Sequence, residues 1–258
     1  GTLSGSTAAL GEYTRSVDAR CPAEGQGIDW KFGPCAPSEL FQELSVRAVR
    51  EVVSLGVPLE DVPLGKAATH LSAAEFHERL ATAAESGAVL LDVRNVYESR
   101  IGHFEATGVP TLLPPTRQFT DLPAFLDSRL EELRGRTVLM YCTGGVRCES
   151  ASAYLRHRLA SKDGATAEPE TNVVQLCGGI ERYIQAYPDG GFFRRKNLVF
   201  DKRLVTEPSS RAGPDIIGRC CLCKTPTDDY SPQRRCSHCR LLLLVCPVCC
   251  ERHPQGAT

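Results

Sequence analysis

Two spacings of apolar residues alternate through the middle of this chain. Runs of strand length, Ala88-Val-Leu-Leu-Asp92, Val138-Leu-Met-Tyr141 and Asn172-Val-Val-Gln-Leu176, are continuously apolar or nearly so, as strands buried on both faces are. Between them the apolar positions fall at helical spacing. Ser72-Ala-Ala-Glu75 is a capping box, followed by Phe76, Leu80, Ala83 and Ala84 on one face, with Gly87 as the stop. Pro123 to Arg134 carries Phe125, Leu126, Leu130 and Leu133; the stretch after Cys148 carries Ala151, Tyr154, Leu155 and Leu159; Ile180 to Tyr187 forms the last helix. Strands alternating with helices predict an α/β fold, a parallel sheet with helices on both faces.

The two ends read differently. Near the start, Ser6-Thr7 caps a helix carrying Ala9, Leu10, Tyr13 and Val17, while Ile28 to Phe32 and Leu44 to Ala48 alternate like strands. This predicts a small α+β unit over 1–64, lacking its first strand, with Trp30 in its core. A Pro/Gly-containing linker, Pro58 to Gly65, leads to the α/β domain over 65–205. Thr206 to Gly218 is a second linker, opening a cysteine-rich tail over 206–258.

The chemistry concentrates where the strand Val138–Tyr141 meets its helix. The junction reads Cys142-Thr143-Gly144-Gly145-Val146-Arg147-Cys148. Such a turn aims backbone N–H groups and a helix N-terminus at one sulfur, which lowers a thiol's pKa and makes a nucleophile at neutral pH. Arg147 adds a fixed charge. The loop from Cys142 to Arg147 spans six residues, one fewer than the phosphate-cradling loops of protein phosphatases, which suits a smaller terminal sulfur. Asp92 and Arg94 end a neighbouring strand, where active sites of such sheets gather, and can pair beneath the loop. His103 reads as a structural hydrogen-bonding residue.

Composition narrows the class. The 258 residues are 42% hydrophobic and 24% charged with net charge −1, as in ordinary globular proteins, so any basic surface must be local. No run is long enough to cross a bilayer and no signal peptide opens the chain. An N-terminal truncation is expected from the missing initiator methionine, which leaves an upstream targeting sequence open. Eight of the thirteen cysteines lie between Cys220 and Cys250. Clustering of this kind points to metal in a reducing compartment, the cytoplasm, rather than to disulfides.

Three C-x-x-C pairs make up that tail: Cys220 and Cys223, Cys236 and Cys239, Cys246 and Cys249. Two such pairs complete a tetrahedral zinc site. The third pair, with Cys221, Cys250, His238 and His253 nearby in sequence, can build a second, so one or two structural zinc ions are expected, an iron–sulfur cluster being the alternative. Metal would supply the folding energy that so small a core lacks.

Taken together, Leu90-Leu-Asp92-Val-Arg94, Tyr97-Glu98, Gly102-His103-Phe104 and Cys142-Thr-Gly-Gly-Val-Arg147-Cys148-Glu149 resemble a rhodanese domain, and within that family the rhodanese-domain tRNA uridine hydroxylases and their eukaryotic sulfurtransferase-domain relatives. Residues before the α/β domain resemble the end of that family's ferredoxin-like domain, Asn197 to Arg203 its post-rhodanese segment, and the cysteine tail its C-terminal extension. The resemblance implies oxygen-dependent 5-hydroxylation of the wobble uridine of tRNA, with Cys142 as the essential thiolate or persulfide, Cys148 as a second family cysteine and molecular oxygen as co-substrate. After Phe104 the chain departs from the family's usual Gly-Ala pattern. Neither a flavin or nucleotide fingerprint nor a 2-His-1-carboxylate triad is evident in the residues themselves.

Three readings follow. In a tRNA-modifying enzyme, Arg194, Arg195, Lys196, Lys202 and Arg203 would contact RNA phosphates; the plain alternative for that charge run is a solvated rim. A sulfurtransferase would use Cys142 to carry sulfane sulfur from a donor to a thiol acceptor, with Cys148 as resolving thiol. A zinc-stabilised binding module would need neither Cys142 nor Arg147.

Overall fold

The computed structural model describes residues 2–21, 28–160, 171–200, 204–210, 216–231 and 233–253. Contacts divide it into two compact units: Gly1–Arg50 with Val199–Leu204, and Glu51–Leu198 with Val205–Thr258.

The first unit holds the expected helix, α1 (Thr7–Arg20), whose N-cap Ser6 accepts from the Ala9 N–H at 3.2 Å. Trp30 is half-buried rather than core; it donates from Nε1 to Asp18 at 2.9 Å and meets Tyr13 edge-on at 6.1 Å. The two expected strands do not form: no residue from 28 to 50 is in a strand, and Leu44 and Val46 are 77% and 85% exposed. Alternation marks a strand only where a neighbour accepts its hydrogen bonds, and none of the described residues of this unit offers one. The ferredoxin-like α+β arrangement is therefore absent from the described residues.

The second unit runs β1 (Thr69–Leu71), α2 (Ala73–Ala81), β2 (Val89–Asp92), α3 (Val96–Ser99), β3 (Gly102–Phe104), β4 (Thr111–Leu112), α4 (Leu122–Leu133), β5 (Thr137–Tyr141), α5 (Val146–Ala160), β6 (Asn172–Leu176), α6 (Gly179–Ala186), β7 (Phe193–Arg195), β8 (Asn197–Leu198), β9 (Val205–Thr206) and α7 (Pro247–Arg252). Five strands form the sheet, in the order β1-β6-β5-β2-β4, all parallel. The strand period of two sorts the core. Val89, Leu91, Val138, Met140 and Val173 point to one face, packed by Leu126 and Leu130 of α4 and Leu155 of α5. Leu90, Leu139, Tyr141, Val174 and Leu176 point to the other, packed by Phe76 and Leu80 of α2 and Ile180 and Tyr183 of α6. Both faces are covered, as the apolar strands predict. The stretch 58–65, expected as a linker, also contributes to packing: Val62 is buried in the first core layer, as is Leu55 just before it. Its prolines precede two short 3₁₀ turns, Leu59–Asp61 and Leu64–Lys66, that lie against α5, where Arg156 donates to the Lys66 and Ala67 carbonyls at 2.9 Å.

β3 and β7 form an antiparallel ribbon beside the sheet, and Tyr230, Leu242 and Leu244 of the cysteine tail pack on Ile101 and Leu198. The tail is thus fastened to the ribbon by a small apolar core. Tyr230 adds an O–H donated to the Tyr97 carbonyl at 2.8 Å.

Candidate active site and metal centre

Cys142 directly follows β5 and α5 begins at Val146, so the loop between them is closed by the geometry of the strand-to-helix turn. Gly145 takes φ +92°, a conformation open to glycine, and its N–H donates to the Cys142 sulfur at 3.1 Å. Burial alone would push the Cys142 thiol up. A hydrogen bond from the Cys148 thiol, the Arg147 charge and the backbone N–H groups of Cys148 and Arg147 outweigh it and bring the thiol down to about 6. Cys148 moves the other way: burial and the adjacent Cys142 anion hold it well above the ordinary thiol range. Of two touching sulfurs, one is kept as the anion and the other as its proton donor. Cys142 is 1% exposed, lying on the floor of the loop, whereas Val146 on its rim is 52% exposed.

Arg147 is fixed by a residue outside the loop. Its Nη1 and Nη2 donate to Glu98 Oε2 and Oε1 at 2.7 and 2.6 Å, in a forked pair with both side chains buried. Glu98 also accepts from the Thr143 hydroxyl at 3.2 Å and from the Asn95 N–H at 3.0 Å, closing the capping box of α3. One carboxylate therefore caps the start of α3, holds the arginine and ties down the second residue of the loop. Sequence reasoning noted Glu98 within its motif without giving it this role; Asn95-x-x-Glu98 was the available signal. From below, Ile180 and Glu181 at the start of α6 donate to the Cys142 and Thr143 carbonyls at 3.0 and 3.1 Å. The fit requires Gly179, at φ +65°, since a β-carbon there would lie 2.6 Å from both carbonyl oxygens.

Asp92 and Arg94 do pair, fully buried, with Nη2 to Oδ2 at 2.7 Å. Arg94 then donates to the Gly102 carbonyl at 2.5 Å and to Asn197 at 3.5 Å, so this pair locks β3 and β8 beside the sheet rather than touching the loop. His103 takes a structural place as expected, bonded to the Ser99 carbonyl and to Glu105. The basic run is largely engaged. Lys196 pairs with Asp228 and Asp229 at 3.1 and 2.5 Å, Arg195 with Asp228 at 3.4 Å, and Arg194 approaches Glu105 at 3.8 Å. Two of these cations, Arg195 at the end of β7 and Lys196 just after it, clasp the tail instead of facing solvent. Lys202 and Arg203 lie outside the described residues.

In the tail, Cys220, Cys223, Cys246 and Cys249 gather with their sulfurs within 4.8 Å of one another, Cys223 and Cys246 at 3.5 Å. Tetrahedral zinc with bonds of about 2.3 Å needs sulfurs about 3.8 Å apart, so this donor set fits that ion. Cys236 and Cys239 stand outside the cluster. Their turn nevertheless repeats the backbone of the first pair: Lys224 and Arg240 share a positive φ, their N–H groups donate to the Cys220 and Cys236 carbonyls at 3.0 and 2.9 Å, and Arg219↔Pro226 matches Arg235↔Leu242 as a bridge. Among the described residues no third His, Cys, Asp or Glu completes a group there. All thirteen cysteines are free thiols.

Comparison with known proteins agrees with this geometry. A family model described as Rhodanase C-terminal matches residues 194–257, the basic run and the cysteine tail. Rhodanese-like domain-containing protein 6 of Arabidopsis thaliana is 43% identical over 280 aligned residues, covering 99% of this chain and 46% of that protein. tRNA uridine(34) hydroxylases follow: that of Chlamydia pneumoniae is 35% identical over 83% of this chain and 60% of its own length. That of Pseudarthrobacter chlorophenolicus is 34% identical over 96% of this chain and 79% of its own length. The chain thus spans about half of the Arabidopsis relative and 60% of the chlamydial one. Among solved structures, a yeast protein tyrosine phosphatase of the rhodanese family is 21% identical over 49% of this chain and 91% of its own, with a TM-score of 0.36. The likeness to the hydroxylases runs far beyond the cysteine loop, from the sheet through the cysteine-rich tail, and on it the chain belongs to the rhodanese-domain tRNA uridine hydroxylase family.

Proposed function

We propose that this protein modifies tRNA, hydroxylating the wobble uridine at C5 with molecular oxygen as co-substrate, one oxygen atom entering the C5–H bond and the other leaving as water on two electrons from a thiol reductant, and that Cys142 is its reactive group. The observation that carries this reading is the Cys142 sulfur held as an anion by the Gly145 N–H and the Arg147 charge while Cys148 stays protonated beside it. The family's named activity agrees. Cys142 acts as thiolate or, once loaded, as persulfide. Arg147 keeps the negative charge on sulfur during that exchange, and the Glu98 fork prevents the guanidinium from swinging away. Cys220, Cys223, Cys246 and Cys249 hold one structural zinc, which draws the four sulfurs of the tail into a single turn-closed unit. No described helix is long and apolar enough to cross a membrane, and the free thiols suit the reducing cytoplasm.

The test is mass spectrometry of tRNA nucleosides from cells carrying wild type or Cys142→Ser as the sole copy. Loss of 5-hydroxyuridine in the variant is expected; its persistence at wild-type level would remove Cys142 from the chemistry.

The same anion supports a second reading as a sulfurtransferase. Cys142 would attack the outer sulfur of thiosulfate, forming its own S–S bond as the donor's breaks and sulfite leaves with the electron pair. Rapid thiosulfate-to-thiol transfer in vitro, with 5-hydroxyuridine unchanged in cells lacking the protein, would decide for it.

A further inference from the structure

While α3 turns Glu98 toward the cysteine loop, Val96 and Ser99 of the same helix face a cavity of about 410 Å3 that the cysteine chemistry does not use. The opposite wall is the first cysteine turn of the tail. The cavity exists because the tail is fastened here: Tyr230 bonds to Tyr97, Lys196 clasps Asp228, and Leu242 and Leu244 pack on Ile101.

Its lining has one sign of charge. Arg100 enters from the end of α3, and Arg219 and Lys224 from the cysteine turn, with no Asp or Glu among the lining residues. Arg219 Nη1 donates to the Lys224 carbonyl at 3.4 Å and Lys224 Nζ to the Cys221 carbonyl at 3.2 Å, so both stems are held over the turn. One bond uses a fraction of the five N–H donors of a guanidinium or the three of an ammonium. Val96, Leu113 and Ile217 add apolar surface to the lining. Three cations and several apolar side chains lining one cavity, in a volume within the usual range for small-ligand sites of about 300–1,000 Å3, match a group that is anionic at one end and flat at the other. A nucleotide has that form.

We infer that this cavity binds a phosphate-bearing nucleotide of an RNA substrate, gripped by Arg100, Arg219 and Lys224. The inference rests on the tRNA reading and supplies what the engaged run Arg194–Lys196 does not, a place where the RNA backbone is held. It also gives the tail a part in binding. Two of the three cations stand on its cysteine turn, so the fold around the four sulfurs builds half of the site.

The test is equilibrium binding of an anticodon stem-loop RNA to the full chain across a salt series. Arg100→Gln, Arg219→Gln, Lys224→Gln and the triple variant are compared with wild type. Each single variant is expected to weaken binding for every loop sequence and to lower the slope of log affinity against log salt by about 0.7, the triple variant by about 2. All three side chains are on exposed residues, and unchanged rates of Cys142 alkylation verify that the fold and the loop are intact. A triple variant that binds with wild-type affinity and slope overturns the inference and leaves the tRNA reading standing. Wild-type protein that fails to bind the stem-loop overturns both.

Discussion

Glu98 and Arg147 meet in a buried fork, with Oε1 to Nη2 at 2.6 Å and Oε2 to Nη1 at 2.7 Å, across 49 residues of sequence. The pair couples α3 to the cysteine loop, so that the charge opposite the sulfur is placed by a helix that also forms the wall of the cationic cavity. Burial is the largest single effect on the guanidinium and lowers its pKa, yet the Glu98 charge and hydrogen bonds, with the charges of Cys142 and Asp92, together raise it further. Removing one member leaves the other charged and desolvated. Glu98→Gln, which keeps the shape and removes the charge, is expected to cost about 3–5 kcal/mol in urea unfolding. A loss below about 1 kcal/mol, the level of an exposed pair, would show that water reaches the fork.

The sulfur pair gives a pH signature. Alkylation of Cys142 requires the thiolate, so its rate should climb as pH rises through about 6 and level off above it. Cys148→Ala removes the S–H donor and should move the midpoint upward; Cys148→Ser retains a donor and should keep it near its original place. Identical midpoints in all three proteins would mean that Arg147 and the amides suffice. The same depression acts on stability. Between about 6 and the ordinary thiol value of about 8.5, the unfolded chain binds a proton that the folded chain has released, so this group's stabilising contribution grows with rising pH and is lost as pH falls through 6. The raised Cys148 acts only above that window.

What the sequence made legible was local or periodic. The apolar strands, the helices between them and the Cys142 loop all follow from spacings within about fifteen residues, and the structure places them as the pattern predicts. Pairings over distance were not legible. Nothing near Arg194-Arg195-Lys196 announces that Asp228 and Asp229 will neutralise two of its members, more than thirty residues on. Three equivalent C-x-x-C pairs do not say which two converge; the fold brings the first and third together and leaves Cys236 and Cys239, on their own turn, outside the cluster. The alternation at 28–32 and 44–48 misled for the same reason, since a strand is made by its neighbour.

Gly179 tests how closely α6 supports the loop. A β-carbon at its φ of +65° would meet the carbonyl oxygens of Cys142 and Thr143. Gly179→Ala is expected to lose about 1–3 kcal/mol from the strained backbone alone. It should also displace the amides of Ile180 and Glu181 from those carbonyls, so the Cys142 alkylation midpoint should shift with it. A destabilised variant whose midpoint is unchanged would separate the support of the fold from the tuning of the sulfur.

The metal is the remaining quantity that can be counted. Four sulfurs within 4.8 Å can hold one ion, while Cys236 and Cys239 share the turn geometry but lack two further ligands among the described residues. Elemental analysis of the purified chain should therefore return one zinc per molecule, unchanged by replacing both Cys236 and Cys239 with Ser. Cys246→Ser should abolish it, because three thiolates leave a position open and expose a site that depends on full coordination for its affinity. Metal loss should then loosen the tail, since Cys220, Cys246 and Cys249 form its second small core around Val245 and have few other apolar contacts. Limited proteolysis within 216–253 reports this directly: faster cleavage after chelation or in Cys246→Ser is the expected result. Two zinc ions per chain, falling to one in the Cys236/Cys239 double variant, would instead show that the second turn finds its missing ligands in solution.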